Sequence, residues 1–300
     1  MPIKKTLSNS LCSESGRRKT EDKAHKKRFI FLSILPIKKP LSNSLCNASG
    51  ERGKRETASP APLVNKAKAG NPKVFKAETI RKVLILAKAE EKNLSSVPVE
   101  DIKLCVSTGN RKIGKVMNIS LMPVLTCGNC KECKHLCYDI KACIQYPGTV
   151  INARMRNLTV LKRNRDEFFS RIDSAISRRK KNKFFRWHVA GDILDVDYFD
   201  RMVTIAKNHP DFTFWTYTKM YHLVNEWIDK NGAIPGNLHV MFSEWRGMPM
   251  DNPHGLPEFR VVFKDDVVKP VGHYCPGNCD ICKNLHRGCV VGETTYCNEH

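Results

Sequence analysis

Apolar residues at helical spacing predict two regions of regular structure in this chain. In residues 77–92 they recur three or four positions apart, which places them on one face of an α-helix. That face consists of Ile80, Val83, Leu84 and Ala87. A second, longer helical pattern covers residues 149–181 and is expected to break near Asn164. Both faces are apolar enough to pack against a core.

Short apolar strands and helices alternate in the second half of the chain. We expect strands at residues 116–123, 184–190, 212–217, 238–242 and 259–267. Helices are expected at 198–207, where Asp197 can cap the first turn, and at 220–230, which ends near Gly232. Strands that alternate with helices of this length form parallel βαβ units. The pattern therefore predicts an α/β fold, with the strands arranged as a partial parallel βα barrel.

Composition divides the chain into three parts. Residues 1–75 contain little apolar sequence, and the segment from Pro2 to Cys12 returns almost unchanged from Pro36 to Cys46. We interpret this part as a disordered arm, because so little apolar surface does not offset the entropy lost on folding. Residues 76–270 contain the βα barrel-like domain, and residues 271–300 form a cysteine-rich, metal-binding segment.

The arm also carries much of the positive charge. Residues 1–78 hold 18 Lys and Arg against 6 Asp and Glu, in a chain whose net charge is +21. Such an arm either binds nucleic acid through phosphate contacts or is a solvated tail. No apolar run approaches the roughly 20 residues of a membrane-spanning helix, and residues 29–35 are too short for an export signal. We therefore expect a cytoplasmic protein without a membrane partner; the sequence leaves its oligomeric state open.

A first cysteine set follows the first expected strand. Cys127, Cys130, Cys133 and Cys137 are separated by two, two and three residues, and Cys143 follows closely. Such spacing allows several thiolates from one loop to bind one centre, which is either a zinc ion or an iron–sulfur cluster. Disulfides are the weaker interpretation, because they are rare in the cytoplasm.

A second cysteine set closes the sequence. It consists of Cys275, Cys279, Cys282, Cys289 and Cys297, with His300 as the final residue. Thiolates with an imidazole form a common ligand set for tetrahedral zinc, and the same thiolates suit an auxiliary iron–sulfur cluster. We expect metal binding to order this segment, since it contains too many loop residues to fold by apolar burial alone.

Polar side chains stand at the ends of the expected strands. Asp192 follows the second strand, Lys219 follows the third, and Ser243 and Glu244 end the fourth. In a parallel barrel the carboxyl ends of the strands open on one face, and that face holds the active site. We therefore expect these four residues to surround one site together with the first cysteine set.

The second expected strand carries two polar residues of its own. Arg186 and His188 are two positions apart, so a regular strand would place them on one face, where they would line a cavity. We expect both to take part in catalysis with Asp192 and Lys219. The alternative is a structural role, in which both satisfy buried carbonyl or carboxylate groups.

A succession of short motifs resembles the gene product 88 family of phages and plasmids. The motifs are 107–112 (Ser-Thr-Gly-Asn-Arg-Lys), 121–123 (Leu-Met-Pro), Cys127, Cys133, Cys137-Tyr138, Ala153-Arg154, Asn157-Leu158, 186–192 (Arg-Trp-His-Val-Ala-Gly-Asp) and Tyr217-Thr218-Lys219. The similarity covers about residues 105–300, so the arm lies outside it. The resemblance implies a phage-related protein but no activity, because the family has no settled function.

A cysteine loop after the first strand of a partial βα barrel is also similar to the radical S-adenosylmethionine enzymes. This resemblance implies a [4Fe–4S] cluster held by three cysteines, with S-adenosylmethionine on the remaining iron. Gly191 and Asp192 lie where that family has a Gly-Glu pair that contacts the amino group of the cofactor. Lys219, Ser243 and Glu244 then belong to the same cofactor or substrate site.

The cysteine spacing departs from the usual radical-enzyme pattern. Three residues separate Cys133 from Cys137 as that pattern requires, but Ile140 stands where its third cysteine is expected. Cys127, Cys130 or Cys143 would have to supply the third thiolate.

Two other functions suit the same residues. A zinc-stabilised nucleic-acid-binding protein would use the arm and the basic run 178–181 (Arg-Arg-Lys-Lys) for phosphate contacts. A metal-stabilised barrel would carry hydrolytic or transfer chemistry at the same strand ends. Iron in the purified protein would favour the radical S-adenosylmethionine enzyme, whereas zinc would favour one of these two other functions.

Overall fold

The computed structural model describes residues 74–110 and 113–299. The disordered arm predicted for residues 1–75 lies almost entirely outside these residues, and so does the predicted ligand His300. Within them the chain forms an α/β fold around a parallel sheet, as the alternation of strands and helices predicts.

Seven α-helices form in the described part of the chain. They are α1 (Ala77–Ser95), α2 (Tyr138–Gln145), α3 (Asn152–Arg163), α4 (Arg165–Ser177), α5 (Val196–Asn208), α6 (Tyr221–Asn231) and α7 (Cys279–Leu285). Short 3-10 turns form at Val99–Asp101, Cys133–Leu136 and Gly288–Val291, and a π-helical turn forms at Pro147–Ile151. None of the described helices is long and apolar enough to cross a membrane.

Local hydrogen bonds explain where two of these helices begin. The expected break at Asn164 is confirmed: its side chain accepts a hydrogen bond from the backbone N–H of Glu167 (2.9 Å) and so caps α4. The cap predicted for the next helix is wrong by two residues. Asp195, not Asp197, caps α5, because its Oδ1 accepts a hydrogen bond from the backbone of Tyr198 (2.8 Å).

Seven strands form one sheet, and every neighbouring pair runs parallel. The strands are β1 (Met117–Asn118), β2 (Phe184–Arg186), β3 (Thr213–Thr218), β4 (Leu238–Glu244), β5 (Glu258–Val262), β6 (His273–Tyr274) and β7 (Thr295–Asn298). Their order is β1-β2-β3-β4-β5-β7-β6. The sheet curls into half of a barrel, which confirms the predicted partial parallel barrel.

The two faces of the sheet pack against different partners. Phe185 and Phe214 belong to the main core, where the helices pack against one face. On the opposite face, Trp215 and Met241 pack with Cys282, Cys289 and Val290 of the tail. We expected metal to order the tail, because it contains too many loop residues to fold by apolar burial alone. The tail contributes β6 and β7 to the sheet and buries apolar surface against it, and its metal site stays a prediction.

Three predicted strands are shorter in the structure. The strand expected at 116–123 is reduced to β1, the strand expected at 184–190 ends at Arg186, and the strand expected at 259–267 ends at Val262. In the second case His188 is responsible, since its φ of 52° lies in the left-handed region and turns the chain out of the extended conformation. Beyond β1 and β2, a backbone hydrogen bond still joins the connection after β1 to the connection after β2: Leu121 N donates to the Ala190 carbonyl (2.8 Å).

A charge network at the start of α4 and α5 makes the stability of the fold depend on pH. Arg165 forms ion pairs with Asp195 (2.7 Å) and Asp197 (2.8 Å). The hydrogen bond from Arg165 lowers the pKa of Asp197 below its usual 3.8. A carboxyl group with a lowered pKa stabilises the fold above its unfolded-state pKa, and this contribution is lost as the pH falls through the folded-state value.

We expect Arg165→Met to lower the free energy of unfolding by about 1 kcal/mol at pH 7. Chemical denaturation at several pH values should show this difference shrinking below about pH 4, as Asp197 becomes protonated. Lys82→Met is the matched control, because Lys82 and Glu78 form an exposed pair on α1. A loss in Arg165→Met that stays constant down to pH 3 would contradict this electrostatic account.

Candidate functional site

The first cysteine set lies in the connection from β1 to α2. After Asn118 the chain runs beside the connection that follows β2, turns at Val124 (φ 69°), and then carries the four cysteines. Cys133 begins a 3-10 turn and Cys137 immediately precedes α2. Because this connection follows the carboxyl end of β1, the cysteine loop lies at the edge of the sheet where the prediction placed it.

Neighbouring groups show that the four thiols of this loop lie close to one another. Burial raises the pKa of the Cys127 thiol well above its usual range, and Asp192, Cys137 and Cys130 act in the same direction. Burial also raises the pKa of Cys133, whereas the nearby Lys219 ammonium lowers it. Thiols with raised pKa values stay protonated at neutral pH, so a metal that bound here would displace protons.

The donor chemistry fits a thiolate-seeking metal, but the side chains do not form a finished ligand set. In residues 74–110 and 113–299, no three Cys, His, Asp or Glu side chains are arranged as a metal-binding group. The thiols are neighbours on one loop, and all four are partly accessible to solvent. Metal binding at this loop would therefore require the thiol side chains to turn towards a common centre.

Cys143 differs from the four loop cysteines. It lies on α2, it is fully buried in the main core, and its Sγ is 3.5 Å from Nη1 of Arg154. Arg154 itself forms a buried ion pair with Asp139. Because Cys143 is buried and contacts an arginine that is already paired, its surroundings are those of a core residue.

Asp192 joins the ends of β2 and β3. Its Oδ1 accepts hydrogen bonds from the hydroxyl of Thr218 (2.6 Å) and the backbone of Ile193 (2.8 Å), and its Oδ2 accepts one from the backbone of Lys219 (3.0 Å). The carboxyl group is buried, and burial raises its pKa although all three hydrogen bonds lower it. These contacts make Asp192 a positioning residue for the loop that carries Lys219.

Gly191 is required by the neighbouring loop. Its φ is 91°, and a Cβ at this position would lie 2.8 Å from both Leu121 Cβ and Thr126 Oγ1. A glycine can also leave space for a bound ligand to approach the backbone closely. The structure fills this space with the segment that leads into the cysteine loop.

Lys219, Ser243 and Glu244 lie side by side at the ends of β3 and β4. Lys219 Nζ donates a hydrogen bond to Ser243 Oγ (2.9 Å) and lies 5.8 Å from the ring centroid of Trp245. Glu244 forms an ion pair with Arg260 on β5 (3.0 Å). Of these residues, Lys219 is the cation next to the thiol loop, because its charge acts on Cys133.

Arg186 and His188 do not share the face that the alternation predicts. His188 is buried and its imidazole contacts Thr216 Oγ1 (3.2 Å) and the Tyr198 hydroxyl (2.9 Å) on the helix side. Burial lowers the pKa of His188 to about 3, so the imidazole is neutral. Arg186 lies on the opposite face, with its guanidinium carbon 4.6 Å from the ring centroid of Tyr217. The left-handed backbone of His188 causes the separation.

Three thiols of the second cysteine set pack together on the tail side of the sheet. Asn278 caps α7 by accepting a hydrogen bond from Asp280 N (2.8 Å), and the helix presents Cys279 and Cys282 three residues apart. Burial raises the pKa of Cys282 to about 12, with Cys275, Cys289 and Cys279 acting in the same direction. Cys275 is exposed, and Cys297 is buried on β7 beside Val261.

His273 is a candidate that the sequence interpretation missed. Its Nε2 lies 3.5 Å from Cys282 Sγ, and its ring occupies the space that a Cβ on Gly288 would need. The signal was an imidazole two positions before Cys275, the first cysteine of the tail. The sequence interpretation also missed Thr218, whose hydroxyl donates a hydrogen bond to Asp192. This contact can be inferred only when the register of β2 and β3 is known.

Comparison with protein-family models gives a match over more than half of the chain. The family model described as gene product 88 matches residues 99–266, which include the cysteine loop, Asp192, Lys219 and β1 to β5. No curated protein and no solved structure matches the chain. The match ends before the tail, so the second cysteine set lies outside it.

The close contact at Gly191 can be tested with a second glycine. Gly191→Ala should lower the free energy of unfolding by about 2–4 kcal/mol, through a strained backbone and a steric clash. Gly232→Ala is the matched control: its φ is 84°, but nothing lies within 4 Å of the added Cβ. Thermal or chemical denaturation should show a clearly smaller loss for Gly232→Ala. Equal losses would show that Leu121 and Thr126 do not hold Gly191.

Proposed function

Because the chain belongs to the gene product 88 family, whose description names no activity, we propose a function from the geometry of the site. The protein is an iron–sulfur enzyme of the radical S-adenosylmethionine type. Three thiolates of the loop Cys127–Cys137 hold a [4Fe–4S] cluster, and the cofactor binds beside it. One observation carries this proposal: a thiol-rich loop follows the first strand of a half-barrel and lies next to the ends of β2 and β3.

The residues around the loop support the proposal by their chemistry. A cluster at this loop would supply one-electron chemistry. Lys219 contributes a positive charge that would pair with the carboxylate of a bound amino-acid cofactor. Ser243 orients the ammonium group of Lys219, because its hydroxyl oxygen accepts a hydrogen bond from Lys219 Nζ. Asp192 fixes the backbone of Lys219 and, through Gly191, the start of the loop.

The tail contributes a second, structural metal in this proposal. Cys279, Cys282 and Cys289 pack together, and Cys275 and His273 lie near them. Zinc or a further cluster suits this donor set. Bound metal would hold α7 and the turn Gly288–Val291 against the face of the sheet opposite the helices.

The cluster assignment predicts how single cysteine substitutions affect colour. Cys133→Ala should remove the share of the visible absorption that the loop cluster contributes in anaerobically prepared, reconstituted protein, because a cluster with an incomplete thiolate set is lost. Cys105→Ala is the matched control, since Cys105 is also a free cysteine but lies outside both sets. An absorption spectrum that is unchanged in Cys133→Ala, Cys137→Ala and Cys127→Ala would exclude the loop as the cluster site.

The role of Lys219 predicts a loss of cofactor affinity. Lys219→Met should weaken S-adenosylmethionine binding in calorimetry by at least about 10-fold, since a hydrogen bond to a charged group contributes about 1.5–3 kcal/mol. Lys219→Arg should restore part of the affinity. Lys230→Met, an exposed lysine at the end of α6, is the control. Equal affinity of Lys219→Met and Lys230→Met would remove Lys219 from the binding site.

A second candidate function is a zinc-stabilised nucleic-acid-binding protein. Arg178, Lys180 and Lys181 are exposed between α4 and β2, at the amino edge of the sheet and away from the thiol loop. Together with the basic arm they could contact phosphates. Protein that contains zinc but no iron, and that binds nucleic acid with an affinity that falls steeply with salt, would favour this function over the enzyme.

A further inference from the structure

A row of nitrogen-bearing side chains crosses the face of the sheet that the tail covers. Asn118, Arg186, Trp215 and His239 are register partners on the neighbouring strands β1, β2, β3 and β4. Register partners in a parallel sheet project to the same side, and Trp215 belongs to the apolar cluster that the sheet forms with the tail. Buried parallel strands usually carry apolar side chains, so this row is an exception to the ordinary pattern of such a sheet.

Two members of the row have a buried N–H donor without an acceptor. Arg186 Nε and Trp215 Nε1 are both shielded from solvent, and neither has a hydrogen-bond partner among the described residues. Asn118 differs, because its amide nitrogen donates a hydrogen bond to the Val116 carbonyl (3.1 Å). A buried donor that is left unpaired costs free energy. Two such donors on adjacent strands, facing the same side, indicate a common acceptor.

The charge of Arg186 selects the kind of acceptor. Its guanidinium carbon lies over the ring of Tyr217, 4.6 Å from the centroid. In the part of the chain that the structure describes it forms no ion pair with a carboxylate, whereas the buried Arg154 pairs with Asp139. A water molecule would accept the hydrogen bonds but would leave the charge without a counter-ion. An oxyanion provides both the acceptor atoms and the negative charge.

The tail limits the size of this acceptor. Cys282, Cys289 and Val290 pack with Trp215 on the same face, so little space separates the sheet from the tail. Arg186 is only half-buried and ends β2, which leaves the row open to solvent at the end of that strand. A group of a few atoms can enter there, whereas a nucleic-acid strand or a peptide would have to displace the tail.

We propose that Arg186 and Trp215 bind a small oxyanion, either a carboxylate or an inorganic phosphate, between the sheet and the tail. The Nε–H of Arg186 and the indole N–H of Trp215 both donate hydrogen bonds to it, and the guanidinium supplies the counter-charge. Arg186, which the sequence predicts to be catalytic, thereby has an anion-binding role. The site goes beyond the proposed function, because it requires neither a cluster at the cysteine loop nor a metal in the tail.

The indole N–H signals of the full-length protein, labelled with ¹⁵N-tryptophan, report on this site directly. The chain has four tryptophans, and each signal is assigned from the corresponding Trp→Phe variant. Sodium acetate and sodium phosphate are titrated separately, with sodium chloride at equal ionic strength as the salt control. The Trp215 signal should shift downfield and reach saturation with at least one of the two oxyanions, because a charged acceptor forms a stronger hydrogen bond.

Two other tryptophans are controls within the same spectrum. Trp187 Nε1 is also buried without a partner among the described residues, but it lies in the main core on the helix side of the sheet. Trp227 Nε1 already donates a hydrogen bond to Asp200 (2.8 Å). Neither signal should follow the oxyanion, so a shift confined to Trp215 places the binding on the tail side.

Substitutions of Arg186 test its charge. Arg186→Met should weaken the binding seen at Trp215 by at least about 10-fold, as expected for the loss of a charge-assisted hydrogen bond. Arg186→Lys should recover part of the affinity, since it keeps the charge. Arg171→Met is the matched control, because Arg171 donates hydrogen bonds to the backbone carbonyls of Ile102 (2.7 Å) and Val99 (3.1 Å) instead. If Arg186→Met does not fold, the wild-type titration and Arg186→Lys still test the site.

The outcomes separate this inference from the proposed function. A Trp215 signal that answers neither acetate nor phosphate, or that moves equally in chloride, overturns the oxyanion site and leaves ordered water as the partner of the two donors. Equal affinity in the wild type and Arg186→Met overturns it as well. A saturable shift that is weakened in Arg186→Met supports it, and the more tightly bound of the two probes identifies the ligand as a carboxylate or a phosphate. Protein without iron leaves each of these readings unchanged.

Discussion

The buried carboxylate of Asp192 is the contact on which the candidate site depends. It accepts hydrogen bonds from Thr218 and from the backbone of Lys219, so it holds the carboxyl ends of β2 and β3 at a fixed separation. The residue before it, Gly191, packs against the segment that leads into the cysteine loop. The thiols, the carboxylate and the Lys219 ammonium are therefore positioned as one unit.

The half-barrel places the two cysteine sets at different parts of one sheet. The first set follows β1 and lies at the carboxyl edge, where parallel strands present their connecting loops. The second set belongs to the tail, which packs on the face of the sheet opposite the helices. Arg186 ends β2, pairs in register with Trp215 and stacks on Tyr217, which packs against the cluster formed with the tail.

The sequence predicts the parts of this fold that follow from periodicity. The short apolar runs of β3 and β4, the helical stripe of α1 and the break at Asn164 are local signals, and the structure confirms them. His188 is different, because its left-handed backbone depends on contacts with Thr216 and Tyr198 that are remote in sequence. The two-residue strand β6 is too short for any periodic signal, so the contribution of the tail to the sheet could not be foreseen.

The candidate site was predictable as a set of residues but not as a set of roles. The predicted strand ends were enough to group Asp192, Lys219, Ser243 and the cysteine loop. Only the structure shows that Asp192 accepts three hydrogen bonds and so holds the neighbouring loop in position. The most direct test of the account is the iron and acid-labile sulfide content of wild-type protein, prepared and reconstituted without oxygen. The account predicts about four of each per bound [4Fe–4S] cluster, with a brown colour. Colourless protein that contains zinc and no iron would contradict it.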